Sequence, residues 1–130
     1  MEPSIFTKII NREIPGYIID ETEDFIAFLD AFPLAKGHSL VIPKKQIDYI
    51  FDLDESTYKD LWVFAQKIAN RIEKTIPCKR VGIAVIGLEV PHAHIHLVPL
   101  KSVEDINFSL PKLQFSKEEM EDTLNEIRKN

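Results

Sequence analysis

Residues 92–98 read His92-Ala93-His94-Ile95-His96-Leu97-Val98. Successive side chains on a β-strand point to opposite faces, so this spelling predicts a strand with His92, His94 and His96 on one side and Ala93, Ile95 and Leu97 on the other. One side is imidazole and the other is core. Cα atoms two apart along a strand are separated by about 6.5 Å, so the rings stand in a row and the middle one has a neighbour on each side. Three uses fit such a row. The histidines can be structural, each with a satisfied hydrogen bond. They can hold zinc, because His-x-His on a strand presents two imidazoles to one ion. Or one ring attacks phosphorus while its neighbours donate N–H groups, a task for which imidazole is suited by its ordinary pKa of about 6.5. Attack through one ring nitrogen then requires the other to carry the proton and hold an acceptor, commonly a backbone carbonyl. A metal site would want a carboxylate or thiolate close by, and Cys78 precedes its strand by several residues, so the expectation is a site with no metal.

Working outward, Val81 to Ile86 predicts the preceding strand, with Gly87 to Pro91 as a tight connection into the histidine strand. Pro91 biases Val90 towards extended backbone. Further upstream, Tyr58, Leu61, Trp62, Ala65, Ile68, Ala69 and Ile72 recur at helical spacing and predict a long helix from about Ser56 to Lys74. Tyr17 to Thr22 and Phe25 to Asp30 form a predicted hairpin about Glu23-Asp24, and His38 to Ile42 supplies another strand ending at Pro43. Ser4 to about Asn11 places Ile5, Phe6, Ile9 and Ile10 on one face of a short opening helix, stopped by Pro15-Gly16. Downstream, Lys101 to Gln114 is polar and aperiodic and reads as a connecting arm. Ser116 with Glu119 signals a helix start, and Met120, Leu124 and Ile127 form an apolar stripe that should dock on its own domain or on a second subunit.

The chain has 130 residues, 45% hydrophobic and 28% charged, which suits one globular core and excludes disorder and coiled coil. The formal net charge of −5 argues against general attraction to nucleic acid or an anionic membrane. An anionic ligand must therefore be caught locally. The single cysteine, Cys78, cannot close an internal disulfide, and the first residues lack a signal-peptide pattern, so the expected compartment is the reducing cytoplasm.

The histidine stretch resembles the signature of the histidine-triad (HIT) superfamily, in which His alternates with apolar residues. The likeness extends through Ser4-Ile5-Phe6-Thr7-Lys8-Ile9-Ile10, Glu13-Ile14-Pro15, Ala27-Phe28-Leu29-Asp30, Pro33, and His38-Ser39-Leu40-Val41-Ile42-Pro43-Lys44-Lys45, which resemble blocks of the Hint branch in order. It implies an α+β fold: an antiparallel sheet of about five strands with one long helix across it, a short N-terminal helix and a C-terminal tail helix. Residues 1–100 would be the HIT domain and 101–130 an extension. The resemblance also implies that His94 is the nucleophile, surrounded by His92, His96 and His38, and that a covalent nucleotidyl-histidine is hydrolysed to a nucleoside monophosphate without a cofactor. The substrate would be a purine nucleotide, an AMP derivative such as a phosphoramidate. Ile5, Phe6, Ile9 and Phe28 would wall the base, although periodicity alone reads them as ordinary core, and Asp30 would accept the ribose hydroxyls. Relatives pair through the long helix and an edge strand, so a homodimer is expected.

Two departures stand out. Many Hint-like proteins carry an Asn and a Gly-Gln-Ser/Thr segment before the triad, where this chain has Ile86-Gly87-Leu88-Glu89-Val90-Pro91. Glu89 becomes a candidate proton donor to a departing group if it points inward, or a solvent-facing loop carboxylate if it does not. Some members bind structural zinc through an N-terminal Cys-x-x-Cys pair, and Ser4 with Thr7 occupies those places, so that site is expected to be absent. The rival functional readings are a nucleotide-binding regulatory module with little turnover and a His-ligated metal hydrolase.

Overall fold

The computed structural model describes residues 2–130. Helix α1 (Ile5–Ile10) leads into strands β1 (Ile18–Glu21), β2 (Phe25–Leu29) and β3 (Ser39–Pro43), followed by helix α2 (Glu55–Thr75), strands β4 (Arg80–Ala84) and β5 (Ile95–Leu100), and helix α3 (Lys117–Arg128). The five strands form one antiparallel sheet in the order β1-β2-β3-β5-β4. The architecture is α+β, as the sequence predicts. Among the described residues no helix is long and apolar enough to cross a membrane.

Alternation divides the sheet into two cores. Phe25, Ala27 and Leu29 of β2, Val41 of β3, and Ile95 and Leu97 of β5 pack with Leu61, Phe64, Ile68 and Ile72 of α2. The intervening residues Ile26, Phe28, Leu40 and Ile42 face the other way and pack with Phe6 and Ile9 of α1. Both faces are covered, so every residue of β2 and β3 is buried. Asp54 caps α2 by accepting the Thr57 N–H, and Ser116 with Glu119 closes the predicted capping box on α3. Met120, Leu124 and Ile127 of α3 are buried in the α2-side core, so the tail helix docks on its own chain.

The predicted strand boundaries around the histidines need correction. The strand predicted from His92 begins at Ile95, and the one predicted to Ile86 ends at Ala84. Pairing of β3 with β5 reaches Val41 opposite Ile95. One position beyond Ile42 stands Pro43, which has no N–H for a ladder and whose carbonyl is taken by the His92 ring. The Ala93 N–H turns instead to the Ile47 carbonyl at 2.7 Å. Val85 to His94 is thus a loop running into β5, longer than the tight connection expected.

Candidate active site

Despite the late start of β5, the alternation places the side chains as expected. Ala93, Ile95 and Leu97 enter the α2-side core, while the rings of His92 and His94 meet Phe6 on the other side. His94 and His96 lie edge to face with centroids 4.9 Å apart. His38 joins them from the start of β3, after a turn in which Gly37 adopts φ 89°. A Cβ at Gly37 would also come within 2.8 Å of Ile76, so glycine is required on both counts.

The hydrogen bonds fix where each proton sits. His94 Nδ1 is 2.7 Å from the His92 carbonyl, which can only accept, so Nδ1 carries the proton and the lone pair of the neutral ring lies on Nε2. His38 Nδ1 accepts the Leu34 N–H at 2.9 Å, so its Nε2–H donates to His96 Nδ1 at 3.0 Å. His96 must then carry its own proton on Nε2. Burial pushes His38 down to about 4, with help from the nearby Lys112 charge. Burial likewise pushes His96 down to about 3, reinforced by His94, His38 and Lys112. Both rings are neutral at pH 7, and the pair presents one N–H donor, on His96 Nε2, beside the lone pair of His94 Nε2.

His92 has a different task. Its ring is fully buried, its Nε2–H donates to the Pro43 carbonyl at 2.7 Å, and its Nδ1 accepts from the Ser4 hydroxyl at 2.8 Å. Burial holds its pKa below the usual range, opposed by the Pro43 carbonyl. With both nitrogens committed, the ring anchors the backbone carbonyl that orients His94. Ser4 is itself held: its hydroxyl accepts the Thr7 N–H as the α1 N-cap, and its own N–H donates to Gln46 Oε1, which also accepts from the Thr7 hydroxyl. This set of hydroxyls and a carboxamide does not suit zinc, which prefers thiolate and imidazole ligands.

The remaining predicted residues divide. Phe6, Ile9 and Phe28 are buried beneath the histidines, with Phe6 edge-on to His94 at 5.0 Å, whereas Ile5 is 52% exposed. Asp30 accepts the Phe32 N–H at 2.9 Å and lies 3.5 Å from His38 Nε2; burial raises its pKa, and that backbone bond works against the rise. Glu89 is exposed on the loop and, among the described residues, makes no hydrogen bond or ion pair to the histidines. Sequence reasoning missed Gln46, the Pro43 carbonyl and Phe108, whose ring meets His96 edge-on at 4.7 Å. No local pattern marks them, because each comes to the site through tertiary folding.

One antiparallel sheet delivering four imidazoles to a single face defines a histidine-cluster α+β protein. The HIT-domain family model matches residues 11–103, and the chain belongs to that family. It is 35% identical over 106 residues to an uncharacterized HIT-like protein of Borreliella burgdorferi, covering 76% of each chain. It is 36% identical over 100 residues to the adenosine 5'-monophosphoramidase of Saccharomyces cerevisiae, covering 73% of this chain and 61% of that one. A crystal structure of a HIT-like protein of Bartonella henselae superposes with TM-score 0.83 at 30% identity, covering 97% of this chain and 95% of the other.

Proposed function

We propose that this protein is a hydrolase of nucleoside 5'-phosphoramidates that works through a nucleotidyl group carried on His94. The observation that carries the reading is the 2.7 Å bond from His94 Nδ1 to the His92 carbonyl, which leaves Nε2 as the free nucleophile beside the His96 N–H. The named activity of the yeast relative supports the substrate class. Nε2 attacks the α-phosphorus and the P–N bond to the amine breaks. Binding an anionic phosphate favours the charged form of the neighbouring His38–His96 pair, which takes up a proton and passes it to the departing nitrogen. Water then attacks phosphorus, gives its proton back to that pair, and the P–Nε2 bond breaks to release the nucleoside monophosphate. The difficult displacement is split in two, with N–H donors beside the developing charge.

Ile5, Phe6, Ile9 and Phe28 would flank a purine, Asp30 would take the ribose hydroxyls, and Glu89 would act from the loop only if the loop turns inward. Exposed Val63 on α2 and Ile83 on the edge strand β4 offer apolar surface for a homodimer. The lone cysteine suits the cytoplasm. The test is to quench the enzyme in alkali during turnover of adenosine 5'-phosphoramidate and weigh its peptides. An adenylyl group on His94 is expected; AMP accumulating with no such adduct overturns the reading.

A metal-dependent reading has one observation in its favour. Ligand-type atoms of Asp30, His38 and His96 all lie within 4.8 Å of one another. The 3.0 Å His38–His96 separation is that of a shared proton, which favours the metal-independent path. Turnover abolished by a chelator and restored by zinc would reverse that preference.

A further inference from the structure

The segment between β5 and α3 reads in the sequence as a plain connector, yet the fold lays it over the histidines. It is closed by a local capping turn at its start and tied to the rest of the fold farther on. At its start the Lys101 and Ser102 N–H groups donate to Asp105 Oδ2 at 2.7 and 2.9 Å, and farther on the Leu113 N–H donates to the Pro33 carbonyl at 2.8 Å. Pro33 belongs to the same turn that connects Asp30 with His38. Between these anchors the Phe108 ring packs edge-on against His96, with centroids 4.7 Å apart, and against His38 at 6.1 Å.

Lys112 continues the arrangement. Its ammonium lies 5.8 Å from the centroid of the Phe108 ring and donates to the carbonyls of Phe108 at 2.7 Å and Leu110 at 3.3 Å. An ammonium has three donors, so one remains for a ligand. The side chain is exposed, but its charge is felt by Asp30, His38 and His96 alike. With His38 and His96 neutral at rest, Lys112 is a fixed cation beside a site that must accept an anion. Phe108 and Lys112 lie beyond residue 103, where the family match ends.

We propose that the arm forms one wall of the leaving-group side of the site, with Lys112 selecting leaving groups that carry a negative charge beyond the scissile bond, such as a carboxylate. Phe108 keeps water from the His38–His96 hydrogen bond, and Lys112 pairs with the distal anion. The inference rests on the His94 reading above and names a residue for its specificity.

The test uses two adenosine 5'-phosphoramidates, one of n-butylamine and one of 4-aminobutyric acid, whose leaving groups differ chiefly in a terminal carboxylate. For Lys112→Gln the ratio of kcat/KM, charged over uncharged, should fall by about fivefold at low salt, the size of one exposed to half-exposed ion pair. Lys112→Arg should keep most of the ratio, and 0.5 M salt should shrink the difference between wild type and Lys112→Gln. A purely structural lysine would depress both substrates alike and leave the ratio where it was. A ratio that moves by less than about 1.5-fold in Lys112→Gln, while His94→Ala still abolishes turnover, overturns this inference alone, because the expected pair energy is larger than that. Turnover that survives His94→Ala overturns the underlying reading and this one with it.

Discussion

The two faces of the sheet are built from the same strands and obey the same alternation, yet they are finished differently. On the α2 face the buried side chains are almost all aliphatic or aromatic, and shape and volume are what count. On the α1 face a smaller apolar floor of Phe6, Ile9, Ile26, Phe28, Leu40 and Ile42 lies beneath four imidazoles whose ring nitrogens are nearly all assigned to partners. One face stabilises through area removed from water. The other spends part of that gain burying polar rings, which is tolerable only because each finds a hydrogen bond. A pattern of alternating burial therefore says where side chains go, whereas donor and acceptor geometry says what they do there.

Mutations should separate the faces. The largest effect is expected from His94→Ala, which should lower phosphoramidase turnover at least about a thousandfold in a steady-state assay by removing the nucleophile. Ile68→Ala on the α2 face should do the reverse, lowering stability by about 2–5 kcal/mol in urea unfolding while kcat/KM of the folded protein stays within about twofold. Equal losses of activity and stability in both variants would erase the distinction. Ser4→Ala tests a residue of the α1 face that serves both stability and activity. It removes the α1 N-cap and strands the His92 Nδ1, so stability should drop by about 1–2 kcal/mol and kcat by about tenfold, with Ser4→Thr restoring much of both.

The pH dependence of stability gives a smaller, directional test. Unfolded histidines bind protons below about pH 6.5, whereas His38 and His96 in the folded protein resist protonation down to about 4 and about 3. The unfolded state thus binds more protons as the pH falls through that window, and stability is lost towards acid and fully present above about pH 6.5. Urea midpoints should climb from pH 4.5 to 6.5, and the climb should be shallower in His96→Asn. An unchanged slope would mean that this pair is not what the acid attacks.

Much of this division is legible in the sequence. The histidine and apolar positions from 92 to 97 sort to the faces that alternation predicts, and the long helix, the hairpin and the Ser116–Glu119 cap fall where periodicity and capping chemistry put them. The start of β5 was not legible, because it depends on Pro43, far away in the chain, ending the partner strand and giving its carbonyl to a ring. Nor was the clamp of Ser4, Thr7 and Gln46 around His92, since no helix or strand spacing links a hydroxyl at the first helix cap to a carboxamide after β3. Phe108 and Lys112 sit in a segment without periodicity, where local pattern carries no information about what the chain crosses.

The way the ring protons are distributed also bears on chemical modification. His92 has neither nitrogen open, His38 gives one lone pair to a backbone amide, and His96 gives its lone pair to His38. An acylating reagent that seeks histidine therefore meets a single available electron pair in the native cluster, on His94, which the His92 carbonyl holds in place. Four letters in the sequence amount to one reactive atom.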